Sequence, residues 1–269
     1  MSESSAPVAE AAAGTRAQQA SPPSGAENMA GQAGAAGGGS AREPKALVEQ
    51  AARGAAGAVA TTAGTAGASA PAATSDGSLF PLKIGNAWTF RTTKGAEVGT
   101  KIQTVGALEM VGGRGPMSAA MAYRMVTTKD DGMDKTESWQ AELEGRIVRY
   151  REKSYAAANG ELEIEEHWEP YKLRVDGTQL TPGATYTEEY KETKLVAGAV
   201  PATATSTDTW RVVAVEEMVT VPAGTFSAVV IEKVGGTSTK RYWFARGVGK
   251  VKEQSGTQVE ELTEYKLMP

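Results

Sequence analysis

From residue 86 to the C-terminus, apolar and polar side chains alternate with a period of two, the pattern of strands with one buried face. Residues 86–93 set Trp88 and Phe90 against Thr89 and Arg91. Residues 120–128 place Met121, Tyr123 and Met125 on one side, and Lys129-Asp130-Asp131-Gly132 follows. An Asp-Gly pair between such runs marks a hairpin turn, because glycine accepts positive φ. The return strand is expected over 139–143. The pattern continues over 147–151, 162–168 and 186–194, punctuated by Asn159-Gly160, Asp176-Gly177 and Pro182-Gly183. Further strands are expected over 210–221, 226–233, 240–244, 248–254 and 259–267. About ten to twelve short strands without a long amphipathic helix predict an all-β fold, an antiparallel sheet curved strongly into a half-barrel or barrel. The pattern leaves room for one or two short helices, with 98–118 as the candidate stretch.

Residues 1–78 carry a different pattern. All five Trp, eight Tyr and four Phe lie from Phe80 onward, and the stretch before them is dominated by Ala, Gly, Ser, Thr and Pro. Such a composition buries too little apolar area to offset its ordering entropy, so 1–78 is expected to be a disordered tether and 79–269 a single β domain. At most a transient helix is expected over 42–53, a length marginal for an isolated helix in water. Met1-Ser2-Glu3-Ser4-Ser5 has neither the basic nor the apolar part of a secretory signal. A long uncharged spacer ahead of a β domain nevertheless suits a domain tethered outside the cytoplasm. The expectation is therefore a mature form in which Met1 stands where a lipid-modified cysteine would be. Contact with the membrane would come only through a lipid anchor that this sequence does not contain.

Composition removes whole classes of chemistry. The chain has no Cys and one His, so thiolate catalysis, disulfides and Cys-ligated metals are excluded, and no metal site or cofactor is expected. Lys and Arg total 28 against 32 Asp and Glu, which gives no basic footprint for nucleic acid. No apolar run approaches the ~20 residues of a helical membrane span.

Three motifs occur in order: Phe80-Pro81-Leu82-Lys83-Ile84-Gly85-Asn86-Ala87-Trp88; Val221-Pro222-Ala223-Gly224-Thr225-Phe226; and Tyr242-Trp243-Phe244-Ala245-Arg246-Gly247-Val248-Gly249-Lys250-Val251-Lys252. On these the chain resembles a family of secreted bacterial lipoproteins of unknown function. The resemblance implies a curved β sheet like that of the lipoprotein carriers LolA and LolB, in the periplasm or anchored at the outer membrane. It brings no catalytic residues. Physically, each motif reads as fold specification: proline and glycine at strand ends make turns.

Two other stretches invite a functional reading. Glu161, Glu163, Glu165, His167 and Glu169 share one strand face and could offer a divalent cation oxygen and imidazole ligands. A solvated charge row, offset by Lys or Arg across the ladder, is the preferred reading. Val111-Gly112-Gly113-Arg114-Gly115-Pro116 lacks the Gly-Lys-Ser/Thr ending of a phosphate loop and reads as a hairpin loop. No Gly-x-Ser-x-Gly accompanies His167, so no enzyme is expected. The expected function is a non-enzymatic extracytoplasmic binding or carrier module for a hydrophobic or lipid ligand, with Trp88, Phe90, Trp210 and Trp243 as concave-face candidates. Since Trp243 and Phe244 are neighbours, not every ring can face inward. The alternative is a structural or interaction protein of an envelope assembly, with a filled core and an envelope protein as partner. Composition and pattern leave the oligomeric state open.

Overall fold

A computed structural model of the chain describes residues 77–130, 134–235 and 239–269. Among these, every regular element is a strand: β1 (Ala87–Lys94), β2 (Glu97–Met110), β3 (Met121–Lys129), β4 (Asp134–Leu143), β5 (Arg146–Tyr155), β6 (Leu162–Asp176), β7 (Thr185–Val196), β8 (Ala202–Val221), β9 (Gly224–Val234), β10 (Lys240–Ala245), β11 (Gly249–Ser255) and β12 (Gln258–Lys266). Each strand pairs with its neighbours in sequence, and β1 closes on β12. The sheet is a closed up-and-down barrel, which removes both edges. Of the half-barrel or barrel that the pattern predicts, the structure is the closed barrel. The helix allowed over 98–118 is instead the long strand β2 and the turn after it. Its alternation is weak because glycine, lysine and glutamine occupy the inward positions Gly99, Lys101 and Gln103.

Directly opposed residues of antiparallel strands share a face, so the register identifies the interior. Phe90 opposes Lys101 on one side and Leu262 on the other, and Phe90 and Leu262 are fully buried. Following such pairs round the barrel places Met125, Ser138, Glu152, Glu166 and Lys194 inside as well.

One end of the barrel is closed by the residues that precede β1. Phe80 stacks on Trp88 at 4.9 Å, and the Trp88 Nε1 donates to the Val248 carbonyl at 2.6 Å. Gly247 N donates to Ser78 O, Asn86 Nδ2 donates to Pro81 O, and Met268 N donates to Asn86 Oδ1. Ala223 N, in the β8–β9 turn, reaches across to Leu262 O. Gly249 has φ +113°, and a Cβ there would lie 3.1 Å from the Trp88 Nε1, so only glycine fits. The three sequence motifs thus meet at one place and build this closed end, as the fold-specification reading expects. Deleting either fully buried ring would cost ~3–5 kcal/mol.

The tether expected over 1–78 lies outside the described residues except for Gly77 and Ser78, which rest on the β10–β11 turn at Gly247. The Asp-Gly turn after β3 likewise falls at residues 131–133, outside the described range.

Candidate functional site

The barrel interior is divided into two halves. Toward the closed end the inward positions are apolar and fully packed. Toward the other end the register turns Lys and Glu inward instead. These carry an unusual burden, because charges inside a barrel lose hydration and must find partners.

The first cluster joins β2, β11 and β12. Lys250, 1% exposed, pairs with both Glu253 and Glu260, and Lys101 reaches the same Glu260 at 2.7 Å. Both ammonium groups also lie over the Phe90 ring, at 5.0 Å and 5.9 Å. The two lysines fare differently. Burial and the neighbouring Lys250 charge pull Lys101 down to about 8. Burial opposes the Lys250 charge too, but Glu253 and Glu260 outweigh it and push its pKa up. Glu260 is held well below the ordinary carboxylate range by both lysines, against the effect of its own burial.

The second cluster spans β5 to β9. Arg149 pairs with Glu152, Lys194 lies 3.5 Å from Glu166, and Lys172 lies 3.9 Å from Glu192. Burial and the adjacent Glu192 raise the Glu166 pKa. Lys233 pairs with Asp208, which also accepts from the Tyr190 hydroxyl at 3.1 Å. Cations cover the rings: Arg149 sits 4.9 Å from the Trp168 ring centre, and Lys172 lies 5.0 Å from Trp168 and 5.1 Å from Tyr190. Unlike the closed end, this half keeps contact with solvent: the Lys194 side chain is 36% exposed and that of Lys233 24%.

Beside this cluster the barrel wall opens. The β6–β7 ladder stops at Glu169 opposite Lys191. Pro170 has no N–H to extend it, and from there β6 pairs only with β5 while β7 pairs only with β8. The separation leaves a cleft of about 320 Å³, lined by Arg146, Tyr171, Asp176, Tyr186, Glu188 and Glu189 among others. Glu188 partly replaces the missing ladder, accepting from Leu173 N and, at 3.4 Å, from the Trp210 Nε1. Burial pushes the Glu188 carboxyl up to about 7.

Of the four ring candidates, Trp88, Phe90 and Trp210 face inward and are buried. Trp88 and Phe90 belong to the packed closed end, while Trp210 packs near Tyr242 at 6.1 Å and borders the charged half. Trp243 lies on the opposite face from its neighbours Tyr242 and Phe244. Its Nε1 donates to Glu217 at 2.8 Å, and Arg241 and Lys252 flank its ring. The structure therefore does not bring the four together. The inward charges at Glu166, Lys172, Glu192 and Lys194 carry no signature in the sequence, where charge reads as solvated surface.

His167 lies on the face opposite Trp168. The β2–β3 connection folds over it: a Cβ at Gly113 or Gly115 would lie 2.5 Å or 2.7 Å from its ring. Arg151 Nη1 donates to Val111 O and holds this strap down. Glu165 pairs with Arg151 at 2.6 Å, the offset expected of a charge row. Among the described residues, no set of three acidic or histidine side chains converges on a metal position. Burial lowers the His167 pKa.

No protein-family profile matches the sequence, and no curated protein does. Among solved structures, the chain is similar to a Bacteroides fragilis protein described as exported, with a YmcC-like fold. The two share 12% identity over 71% of this chain and 100% of that one, with a TM-score of 0.43. It is also similar to a protein of Parabacteroides distasonis described as a lipoprotein, at 13% identity over 71% of this chain and 99% of that one, with a TM-score of 0.42.

Proposed function

We propose that the chain is a non-enzymatic extracytoplasmic binding module that takes a small molecule bearing both positive and negative charge into the wet half of its barrel. One observation carries this reading: the interior is packed with rings at the closed end and lined with solvent-touching charges of both signs at the other. The first half offers a lipid no surface, since Trp88 and Phe90 are fully covered. The second offers paired charges and aromatic faces, the lining of a polar ligand site. The Ala/Gly/Ser/Thr stretch before residue 79 supports a tethered domain outside the cytoplasm, as does the resemblance carried by the three motifs. The sole histidine is capped by the strap and pairs with Glu165 at 3.0 Å.

Titration of the full chain with a panel of zwitterions, sugars and fatty acids tests this, read by tryptophan fluorescence and native mass spectrometry. A saturable response to a zwitterion that Glu166→Gln weakens is the expected result. Saturable binding of fatty acid, with none for any polar compound, overturns it. A second reading, docking in an envelope assembly, is favoured by exposed Leu108, Met110 and Met121 near the closed end. Met110→Glu would then abolish capture of an envelope protein while leaving ligand titrations unchanged.

A further inference from the structure

The lateral cleft between β6 and β7 has chemistry of its own, independent of the interior ligand. Its lining carries three carboxylates, Asp176, Glu188 and Glu189, against one guanidinium. That guanidinium, on Arg146, is held by Asp176 at 3.1 Å. Neither Glu188 nor Glu189 has an ion-pair partner among the described residues. Glu188 is the deeper of the two. It is faced by Leu173 N from β6, by Asp208 and the Trp210 Nε1 from β8, and by Lys233 from β9, whose ammonium pairs with Asp208. Tyr171 and Tyr186 complete the walls with aromatic rings. Carboxylate with aromatic surface is the recognition chemistry of organic cations. A divalent metal fits poorly, because the acids are spread around the walls and do not converge. At about 320 Å³ the space is at the small end of ligand sites, enough for one compact group.

We propose that the β6–β7 cleft binds a small organic cation, an ammonium or guanidinium group on a short apolar stem, with Glu188 as its counter-ion and Tyr171 and Tyr186 beside the stem. The isosteric acid and alcohol are rejected, because they would leave the buried carboxylate uncompensated.

Isothermal titration of the full chain with butylammonium and butylguanidinium, against butyrate and butanol, tests the site. Saturable binding of the cations alone is expected. Glu188→Gln should weaken it at least tenfold, whereas Glu166→Gln, in the interior, should leave it unchanged. Binding requires the ionised carboxylate, so affinity should fall about tenfold between pH 8 and pH 6. This profile is read on the unaltered protein and stands even if Glu188→Gln does not fold. Comparing butylammonium with Nα-acetyl-lysinamide then tells a free amine from a polypeptide side chain, the tighter binder naming the source. Absence of saturable cation binding, equal binding of butanol, or a flat pH profile overturns the proposal. Loss of zwitterion binding in the interior would not affect it.

Discussion

Replacing Lys250 by methionine removes the cation shared by Glu253 and Glu260 while keeping the stem that packs near Phe90. Lys250 is 1% exposed and the Glu260 side chain only 7%, so the carboxylates lose their shared buried cation and Glu260 is left with Lys101. Breaking a buried pair in this way costs ~3–5 kcal/mol, a large share of the ~5–15 kcal/mol that holds a domain of this size. Adding Glu253→Gln restores the charge balance and should recover most of the loss. The pH dependence gives a sharper signature. Lys101 titrates near pH 8 in the folded barrel and near 10.5 in the unfolded chain. Between these values the unfolded state binds more protons, so stability rises with pH across this window, and the full cost of charging Lys101 is present below it. The span from 8 to 10.5 corresponds to ~3 kcal/mol. In Lys250→Met the repelling charge is gone and two carboxylates face Lys101, so its pKa climbs back and the rise shrinks or reverses. Urea unfolding followed by tryptophan fluorescence at pH 7.5, 8.5 and 9.5 measures both effects. Lys172, also depressed by burial, contributes equally to both proteins and cancels in the difference. A loss under 1 kcal/mol, or the same rise with pH in both proteins, would refute the assignment of a coupled buried cluster.

Three further outcomes are expected. Gly113→Ala drives a Cβ to 2.5 Å from the His167 ring at φ +74°, whereas Gly160→Ala at φ +69° meets nothing within 4 Å. The first should cost ~1–2 kcal/mol more than the second in thermal melts and open the strap to trypsin at Arg114; equal shifts would mean the strap is not seated on His167. Phe80→Ala should lower stability by ~3 kcal/mol or more and speed amide exchange at Trp88; a loss below 1 kcal/mol would show that the closed end is not packed as described. Glu232, bonded by Arg211 and Arg241, has its pKa held down by these partners against its own burial. Its stabilisation is present above the ordinary carboxylate pKa and lost as pH falls through the lower folded value, so Glu232→Gln should flatten the acid limb of the stability curve below the ordinary value of 4.5.

The elements that alternation identified are those with a ring or aliphatic chain at every second position, such as β1 and β9. Alternation failed where the inward positions are polar or small. In β2 these are Gly99, Lys101 and Gln103, and in the first half of β8 they include Ala204 and Ser206, so neither stretch shows an apolar face. The same reason hid the charged interior. The row Glu161 to Glu169 was visible as a face, but its even-numbered neighbour Glu166 is the inward one. Nothing in β6 alone distinguishes the wet outside of a barrel from its wet inside. Only the register does so, by setting Glu166 opposite Glu152 and Lys194.

Bulges shift the pairing further, unevenly along the barrel: three in the β5–β6 ladder and none in β7–β8. Register shifts lie between Trp243 and Phe244, between Thr89 and Phe90, and between Trp139 and Gln140, and each resets which side chains meet across the ladder. Along Tyr242-Trp243-Phe244 all three residues are equally apolar, so the facing partners decide. Tyr242 opposes Ile231 on β9 and Glu253 on β11, which turns it inward. Trp243 opposes Val230 and Lys252, on the face where Arg241 stays 42% exposed. Hydrophobicity therefore specified an all-β fold with a strongly curved antiparallel sheet. Which charges meet inside it, and hence what it can hold, followed from pairings between strands far apart in the chain, and no period-two pattern records those.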